Sequence, residues 1–389
     1  MDLGKWWWRG RHRLCLGGVG SLRVLTVNAG SSSVKLALLD GDDQTLAGRE
    51  LQVLEGGLDR RELLETLRGL EAPDAVGHRI VHGGTRFREA VVVEASVRAA
   101  LSELTELAPL HQPKSLDALD AVSAALPGVP AVACFDTAFH ATLPAAASTY
   151  ALPAEWRVRF GLRRYGFHGL LHAWVARRAG ELLGGERAAH RIVSCHLGAG
   201  ASLCAIAGGR SVDTTMGFTP LEGIVMATRS GSVDPGLLLW LLDRGGLGAD
   251  ELGEALERRS GLLGLCGSGD MREVLERAHS GEEAAALALE VYLHRLRAGI
   301  ASMASALDGL DALVFTGGVG EHAPTVRELT AGGLGFLGVA IDSARNREAV
   351  PAGDGEITAR GTTVRTFVIA AREDLEIARS VRSLLRGAG

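Results

Sequence analysis

The chain has 389 residues, of which 47% are hydrophobic, so it is long enough for two domains with sizeable cores. Its formal net charge is -5 and its Lys and Arg residues are scattered rather than clustered, which argues against a nucleic-acid partner. No apolar run has the length of a membrane span, and the five widely spaced cysteines favour reduced thiols in a cytoplasmic protein.

Ordered structure is expected to begin after residue 21. Residues 1–21 are basic and aromatic but have no periodic apolar pattern. We therefore expect a disordered leader, with a weak membrane-surface contact through the tryptophans at 6–8 as the alternative. The β-branched run at 23–27, a turn of small polar residues and the apolar run at 34–39 then predict a β-hairpin.

A second hairpin of the same form is predicted over residues 191–207. When the two segments are aligned without a gap, Asn28 falls on His196. Gly30 falls on Gly198 in the same alignment. Two hairpins that align in this way, far apart in the sequence, indicate a duplicated fold.

The remaining segments alternate between helical and strand patterns, which indicates an α/β chain. Apolar residues at helical spacing predict helices over 97–107, 115–126, 170–183, 282–307 and 373–385. A strand is predicted at 311–316, before a Gly-rich turn at 317–320. A boundary near 150–160 would divide the chain into an N-terminal lobe, 22–150, and a C-terminal nucleotide-binding lobe, 151–372. We expect the last helix, within 373–389, to pack back on the first lobe.

The turn of the first hairpin is a candidate phosphate site. It reads Asn28-Ala-Gly-Ser-Ser-Ser-Val-Lys35. Small residues at a hairpin tip let backbone N–H groups and hydroxyls approach phosphate oxygens, and Lys35 adds a point charge. An ordinary polar turn is the alternative that this motif alone leaves open.

Two further motifs carry a charged side chain at the end of a predicted strand. Gly77-His-Arg-Ile-Val-His-Gly-Gly84 presents the Arg79 guanidinium, a planar fork that suits an anion. Asp136 follows an apolar segment, where a buried carboxylate is costly unless it has a partner or a task. The alternatives are a surface Arg at a sheet edge and an Asp that caps the next turn.

Two motifs in the second half carry further cationic candidates. His168 lies just before a predicted helix, where an imidazole and a helix N-terminus can stabilise an anion; a packed core His is the alternative. Arg229 is a second candidate for charge on a transferred phosphoryl group. Further Gly-rich turns lie at 196–200, 267–272 and 317–321.

Several other catalytic motifs are missing from the sequence. It has no Walker P-loop, no protein-kinase glycine loop with a V-A-I-K partner, no spaced Cys/His cluster for zinc and no G-x-S-x-G elbow.

In chain order, these motifs resemble those of the acetate kinase family. The matching segments are Asn28-x-x-Ser-Ser-Ser-x-Lys35, Gly77-His-Arg-Ile-Val-His-Gly-Gly84, Phe135-Asp-Thr-Ala-Phe-His140, Tyr165-Gly-Phe-His-Gly169 and Thr228-Arg-Ser-Gly231. The resemblance covers about residues 23–379, and the motifs are specific to acetate and propionate kinases. It implies the duplicated α/β fold of actin, Hsp70 and sugar kinases, with two lobes around a nucleotide cleft. It also implies use of ATP or ADP with Mg²⁺ or Mn²⁺, and a homodimer.

The same resemblance implies roles for individual residues. Asn28 and Glu373 would hold the metal. Asp136 would be the catalytic acid/base, with His168 and Arg229 stabilising the transition state. Substrate would bind at Arg79, Val81, Leu110, Phe167 and Pro220. Nucleotide would bind at Lys35, His196, Leu197, Gly198, Ala199, Gly200, Asp270, Met271, Arg272, Gly318, Val319, Gly320, Glu321 and His322.

Four positions depart from the family pattern. Ala199 stands for the Asn of the usual His-Leu-Gly-Asn-Gly loop, Gln112 for an Asn and Ser232 for an Asp. Arg372 stands for the Asn that usually precedes the metal-binding Glu. None of these changes removes a charged catalytic residue, so we expect activity with an altered nucleotide affinity.

The function that this resemblance implies is reversible phosphoryl transfer from ATP to acetate, giving acetyl phosphate and ADP. A propionate-preferring acyl kinase, an inactive nucleotide-binding regulator and an actin-like chaperone or filament ATPase are the alternatives. The charged residues at Arg79, Asp136 and Arg229 argue against the inactive regulator. The Arg79 and His168 motifs argue against the actin-like proteins, which lack them.

Overall fold

The computed structural model describes residues 22–30, 33–54, 57–109, 111–186, 190–349 and 353–387. The expected leader, residues 1–21, and Leu110 of the expected acyl pocket lie outside the described residues. The strands are β1 Val24–Ala29, β2 Ser33–Leu39, β3 Thr45–Leu54, β4 Gly57–Leu58, β5 Ala75–Ile80, β6 Val91–Val92, β7 Ala131–Phe135, β8 Arg191–Leu197, β9 Ala201–Ala207, β10 Arg210–Thr214, β11 Ala312–Thr316, β12 Gly355–Glu356 and β13 Arg365–Val368.

The helices alternate with these strands along the chain. The α-helices are α1 Arg60–Arg68, α2 Ala95–Glu103, α3 Gln112–Ala125, α4 Ala145–Ser148, α5 Ala154–Phe160, α6 Gly169–Leu183, α7 Pro235–Asp243, α8 Ala249–Arg258, α9 Gly261–Cys266, α10 Met271–His279, α11 Glu283–Ala306, α12 Gly317–His322, α13 Pro324–Gly332, α14 Ser343–Glu348 and α15 Glu373–Gly387. Aspartates cap several of them by accepting backbone N–H groups of the first turn: Asp59 for α1, Asp234 for α7, Asp270 for α10 and Asp342 for α14.

The first part of the chain builds a mixed sheet. Within the described residues its strand order is β4-β3-β2-β1-β5-β7-β6. β1, β2 and β3 form an antiparallel meander in which Asn28 lies opposite Lys35. β5 and β7 then continue the sheet parallel to β1, and β6 closes the edge antiparallel to β7. The carboxyl ends of β1, β5 and β7 therefore meet at one edge of this sheet.

A second sheet repeats this plan. Its order within the described residues is β10-β9-β8-β11-β13-β12. β8, β9 and β10 form the meander, in which His196 lies opposite Ser202. β11 and β13 run parallel to β8, and β12 is the antiparallel edge strand. The shared order and directions confirm the α/β class and the duplicated fold that the aligned hairpins predicted.

Helices α6 and α15 lie between the two sheets. Their apolar residues form one core cluster with strands of both sheets, including Val24 of β1 and Ile192 of β8. α15 packs closely against Gly77 of β5. A Cβ at that position would clash with Ile377 and Val381, so the close packing requires glycine. α1 and α3 cover the other face of the first sheet, and α9, α10, α11 and α13 cover that of the second. No helix in the described ranges is both long and apolar enough to cross a membrane.

The predicted helices are present with shifted ends. α3 begins at Gln112 rather than 115, because Pro113 lacks an N–H that the first helical turn would leave unpaired anyway. The predicted helix at 97–107 is α2 followed by a 3₁₀ turn, Leu104–Leu107. Residues 317–320, predicted as a turn, instead begin the short helix α12. There Gly317 has a φ of 82° and donates its N–H to Glu321 Oε1 at 2.8 Å.

Candidate active site

Most of the predicted site residues lie at the carboxyl ends of the parallel strands. In the first sheet these residues are Asn28, Arg79 and Asp136, at the ends of β1, β5 and β7. In the second sheet His196 lies near the end of β8 and Gly317 follows β11. Ligands of α/β folds bind outside these strand ends, so the fold alone selects this region.

Arg79 and Asp136 form a buried ion pair across β5 and β7. Arg79 Nε lies 3.1 Å from each Asp136 carboxylate oxygen, and Nη2 lies 2.5 Å from Oδ2. The Asp136 side chain is only 1% exposed. Burial opposes the Arg79 charge, but attraction to Asp136 and Glu373 outweighs it and raises the pKa of Arg79. Burial raises the pKa of Asp136, and the guanidinium and the His168 backbone N–H oppose that shift.

Asn28 links this ion pair to Glu373 at the start of α15. Its Nδ2 donates to Glu373 Oε2 at 2.6 Å, and its Oδ1 accepts from Arg79 Nη1 at 3.3 Å. Glu321 fixes the loop before Glu373, because Glu321 Oε1 also accepts the Ala371 N–H at 3.0 Å. Amide and carboxylate oxygens of this kind are the donors that Mg²⁺ prefers.

His168 adopts a left-handed conformation, with φ of 57°, at the start of α6. The neighbouring Gly169 N–H donates to the Asp136 backbone oxygen at 2.9 Å, which ties this helix to the end of β7. The His168 ring lies 4.4 Å, between centroids, from that of His196. Burial, together with the charges of His196 and the two arginines, lowers the pKa of His168 well below its usual value. The imidazole is therefore neutral at physiological pH.

Arg229 approaches the same place from the second half of the chain. A Cβ on Gly200 would lie 3.5 Å from Arg229 Nη1 and 3.6 Å from His168 Nε2, so both groups face this glycine. Arg229 Nη1 donates to the Pro220 oxygen at 3.2 Å, and Nε lies 3.2 Å from Glu257 Oε2. Burial lowers the pKa of Arg229, although Glu257 opposes the shift. The Arg229 guanidinium and the His168 imidazole thus face the same Gly-rich loop.

The loop at 198–200 closes on itself, with the Gly198 N–H donating to the Gly200 oxygen at 3.1 Å. Ala199 is exposed, and its carbonyl accepts the Ala227 N–H at 3.1 Å. The substitution at Ala199 therefore leaves the backbone contacts of the loop in place. A Cβ on Gly317 would come within 2.7 Å of His196 Nδ1, which brings α12 against the same loop.

The other predicted nucleotide residues differ in how they are placed. Leu197, Met271 and Gly320 are buried, so only their backbone could face a ligand. The remaining members Lys35, Gly318 and His322 are exposed and Val319 is half-buried. Asp270 and Arg272 pair with each other at 2.5 Å rather than with the cluster around His168. That hydrogen bond lowers the pKa of Asp270 to about 2.

The described members of the predicted acyl pocket are all buried. Val81 and Phe167 belong to one core cluster together with Ala108. Pro220 is buried in the loop that holds Arg229. The His82 ring packs edge-on against Phe167 at 5.5 Å between centroids, which fixes the wall beside Val81.

The other departures from the family pattern also take part in local contacts, and Ser232 accepts the Gly223 N–H at 3.1 Å. Gln112 is fully buried and pairs with both backbone groups of His82 at 3.2 Å, so it fixes the loop that carries Val81. Arg372 pairs with Asp374 at 2.9 Å, which gives its charge a partner other than Glu373.

Sequence reasoning missed the acidic partner of Arg229. Glu257 on α8 belongs to no motif, yet it is the carboxylate partner of Arg229. It also lines a pocket of about 550 Å³ together with His111 and Pro220. Only its position on an otherwise charged helix surface is visible in the sequence, and that pattern does not distinguish it from solvated glutamates.

Cationic and hydrogen-bonding side chains lie together where the strands of the two duplicated halves end. Such a cluster suits the transfer of a phosphoryl group. It defines the class of the protein as a phosphotransferase. Residues 59–379 match the sequence profile of the Acetokinase family, and the chain belongs to that family.

Similar proteins agree over nearly the whole length. An acetate kinase of Leifsonia xyli subsp. xyli is 46% identical over 92% of this chain and 97% of its own. The crystal structure of Porphyromonas gingivalis acetate kinase is 36% identical, covers 94% of this chain and 100% of its own, and has a TM-score of 0.85. That of a propionate kinase from Francisella tularensis subsp. tularensis SCHU S4 is also 36% identical, covers 92% and 98%, and has a TM-score of 0.84.

Proposed function

We propose that this chain is an acetate kinase, which transfers the γ-phosphoryl group of ATP reversibly to acetate and gives acetyl phosphate and ADP. The observation that carries the proposal is the convergence of His168 and Arg229 on Gly200, beside the buried Arg79–Asp136 pair. The acetate carboxylate is already ionised at neutral pH, so the reaction needs positioning and charge stabilisation rather than a strong base.

The assigned roles follow from charge and exposure. Arg79 binds the carboxylate of acetate or acetyl phosphate. Arg229 and the neutral His168 donate to the oxygens of the transferred group, whose charge grows more diffuse in the transition state. Loops that present backbone N–H groups, at 198–200 and 317–320, bind the nucleotide phosphates. The pairing of Asp270 with Arg272 supports a place for them at the outer rim of the nucleotide site.

Asp136 keeps the role of acid/base as a proposal, and its geometry supports a second task. Three contacts join its carboxylate to the Arg79 guanidinium. A bidentate carboxylate partner fixes the plane of a guanidinium, and so fixes the direction in which its remaining N–H groups point. Asp136 therefore orients Arg79 toward the acyl phosphate.

Magnesium is proposed as the metal, with manganese as a substitute, at Asn28 and Glu373. Glu373 offers carboxylate oxygens of the kind that a hard cation takes, and Asn28 lies beside it, with Nδ2 donating to Glu373 Oε2 and Oδ1 accepting from Arg79 Nη1. Within the described residues, no group of three or more His, Cys, Asp and Glu side chains could hold a metal ion. A site of two side chains suits Mg²⁺, which usually keeps several waters and binds the substrate phosphates. When bound, it would neutralise charge on those phosphates.

A preference for propionate is the second candidate. It is favoured by the propionate kinase structure, which is as similar in sequence to this chain as the acetate kinase structure is. Arg79 cannot separate the two acids, because every carboxylate offers it the same two oxygens. The apolar wall of Val81, Phe167 and Pro220 must set the preference, and we propose that its packing favours acetate.

Hydroxylamine trapping of acyl phosphate tests both candidates. The protein, ATP and MgCl₂ are incubated with acetate, propionate or butyrate, and the hydroxamates are quantified. Acetate should give the highest kcat/KM, followed by propionate and then butyrate. A higher value for propionate would make this a propionate kinase. Product from none of the acids, with retained ATP binding, would support an inactive regulator instead.

A homodimer is proposed from exposed apolar side chains on two helices. None of the residues of α7 is buried. Its large apolar side chains include Leu239, which is 67% exposed, and Trp240, which is 57% exposed. On α5, Val158 is 85% exposed. Exposed apolar patches of this kind mark protein interfaces, and a second copy is the occupant that the family resemblance implies. Light scattering after size exclusion should give a dimer for the native chain and a monomer for Leu239→Glu/Trp240→Glu.

Two coarser features complete the proposal. The lobes are residues 22–150 with α15, and 151–372, a division supported by the two separate sheets. A cytoplasmic location is supported by four free, buried cysteines, Cys134, Cys195, Cys204 and Cys266, which suit a reducing compartment.

A further inference from the structure

Behind His168 lies a chain of buried hydrogen-bonding side chains. His168 Nδ1 is 2.9 Å from Ser202 Oγ, which is 2.8 Å from His172 Nε2. His172 Nδ1 is in turn 2.9 Å from Ser194 Oγ. Ser194, Ser202 and His172 are all fully buried. This series of hydrogen bonds runs from the strands of the second sheet to the imidazole that faces Gly200.

The fold explains why these groups meet. His168 and His172 are four residues apart at the start of α6, so both imidazoles point toward the same sheet. Ser194 lies on β8 and Ser202 on the adjacent β9. The helix therefore places two imidazoles within hydrogen-bonding distance of serine hydroxyls on two neighbouring strands.

The hydrogen bonds of this series of side chains can run, from donor to acceptor, in only two directions. A hydroxyl has one hydrogen, so Ser202 must donate to one imidazole and accept from the other when both are neutral. If Ser202 donates to His168 Nδ1, the remaining proton of His168 lies on Nε2. If Ser202 accepts from His168 Nδ1–H, then Nε2 carries a lone pair instead. An N–H would attract the oxygens of a phosphoryl group, and a lone pair would repel them.

Ser194 determines the direction. Its hydroxyl can donate to His172 Nδ1, and no second acceptor for it lies within hydrogen-bonding distance in the described part of the chain. With Ser194 as donor, His172 must carry its proton on Nε2 and donate to Ser202, which then donates to His168 Nδ1. The opposite direction would leave the hydrogen of a fully buried hydroxyl without an acceptor, which is costly.

We infer that Ser194, His172 and Ser202 form a one-way hydrogen-bond chain that holds His168 in the tautomer with Nε2–H directed at the transferred phosphoryl group. Ser202 and His172 are thus positioning residues for the proposed reaction. This inference rests on the proposed function, because it assigns His168 the role of a donor to the phosphoryl oxygens.

A second buried His–Ser pair gives a matched control. His140 Nδ1 is 2.8 Å from Ser211 Oγ, and its Nε2 is 3.0 Å from the Phe167 backbone oxygen. That carbonyl can only accept, so His140 is also an Nε2–H tautomer with a serine donor on Nδ1. Ser211 is as buried as Ser202, but the proton of His140 is used inside the core.

The test combines kinetics with the tautomeric state. We expect Ser202→Ala to lower kcat about tenfold, the value of one neutral hydrogen bond, with little change in the KM for ATP. Ser211→Ala should lower the thermal midpoint similarly and leave kcat nearly unchanged. Ser194→Ala, which removes the donor that sets the direction, should give a smaller loss of kcat. Ser202→Thr, which keeps the hydroxyl, should restore much of it.

Long-range ¹H–¹⁵N spectra of the histidines give a readout that does not need activity. The native protein should show His168 protonated on Nε2 and not on Nδ1, and Ser202→Ala should show a mixture. Protonation of Nδ1 in the native protein, or equal losses of kcat in Ser202→Ala and Ser211→Ala, would overturn the inference. A native protein that makes no acyl phosphate would refute the proposed function instead, while the spectra would still test the chain.

Discussion

The two arginines of the site are held in different ways. Arg79 is clamped by the fully buried Asp136 and by Asn28, all on the first sheet. Arg229 is held by a backbone carbonyl, by the half-buried Glu257 and by His111 Nε2 at 3.4 Å. Burial opposes the charge of both guanidiniums: for Arg79 the attraction of Asp136 and Glu373 outweighs burial and raises its pKa, whereas for Arg229 burial outweighs Glu257 and lowers its pKa. The two guanidiniums are similarly exposed, at 15% and 19%, but the carboxylate partner of Arg79 is buried while that of Arg229 is 20% exposed.

The largest effect is expected at Arg79. Arg79→Ala should lower the free energy of unfolding by about 3–5 kcal/mol, because it leaves the Asp136 carboxylate buried without a partner. It should also abolish most of the activity. Urea unfolding measures the first effect. Arg98, which pairs with Asp120 in the same bidentate way at the surface, is the control, and Arg98→Ala should cost less than about 1 kcal/mol. Equal losses for the two variants would contradict the difference between the two environments.

Arg229→Ala should separate rate from stability. We expect a fall in kcat of about a hundredfold or more, the usual value of a group that stabilises charge in the transition state. The thermal midpoint and the KM for ATP should change little, since Glu257 can be solvated. Arg258→Ala, an exposed residue of the same pocket, is the control. An unchanged kcat with only a raised KM for ATP would show that Arg229 serves the nucleotide.

Glu257 provides a finer test of how Arg229 is held. Glu257→Gln removes the negative charge that lies 3.2 Å from Arg229 Nε, so the guanidinium loses its ion pair and kcat should fall about tenfold, which corresponds to about 1.4 kcal/mol. Glu254→Gln on the same face of α8 should have no effect, because Glu254 is exposed and lines the pocket without contacting Arg229. If both variants behave alike, then the backbone carbonyl of Pro220 is sufficient to position Arg229.

Lowering the pH should reduce the stability of the folded state through His111, which lies beside Arg229. Burial, followed by the charges of Arg229, Arg79 and Lys114, lowers the pKa of His111 from 6.5 to about 4. The folded state thus favours the neutral ring, and the unfolded chain binds this proton more readily. The contribution of His111 to stability is complete above pH 6.5 and is lost as the pH falls toward 4.

The variant His111→Asn tests that contribution. Its free energy of unfolding should fall less than that of the native chain between pH 7.5 and 5. Asn28 occupies the corresponding place beside Arg79 and does not titrate, so Asn28→Ala should keep the native pH dependence. Parallel curves for the native chain and His111→Asn would contradict the lowered pKa.

The effect expected at Val81, which follows β5 and Arg79, is a change in substrate preference. Val81→Ala should narrow the acetate-to-propionate ratio of kcat/KM, since one methylene in an apolar pocket is worth about 1–3 kcal/mol. It should do so by raising the KM for acetate and lowering it for larger acids. Arg229→Ala should leave that ratio unchanged, because Arg229 is assigned to the phosphoryl group. A ratio that follows Arg229 rather than Val81 would exchange the two roles.

The fold could be predicted from sequence because its signals are local. The two hairpins reveal themselves by β-branched runs around Gly-rich turns, and their alignment indicated the duplication. The prediction of a turn at 317–320, where α12 begins, was wrong, because a glycine-rich segment gives no helical periodicity. What stabilises that helix is Glu321, whose carboxylate accepts the N–H of Gly317.

The site could be predicted where charge and glycine share one motif, as at Arg79 and His168. Glu257 was missed, because its partner Arg229 is distant in sequence and reaches it only in the folded chain. The alternation of hydroxyls and imidazoles behind His168 was hidden for the same reason, since Ser194 and Ser202 look like ordinary strand residues. Long-range pairing of polar groups leaves no periodic signal.

The most direct test of the account is to follow the reaction by ³¹P NMR. ATP, MgCl₂ and the native chain are mixed with acetate, and separately ADP is mixed with acetyl phosphate. The account predicts that acetyl phosphate and ADP appear in the first mixture, ATP appears in the second, and both reach the same equilibrium. Release of inorganic phosphate from ATP at a rate independent of acetate, without acetyl phosphate, would contradict it.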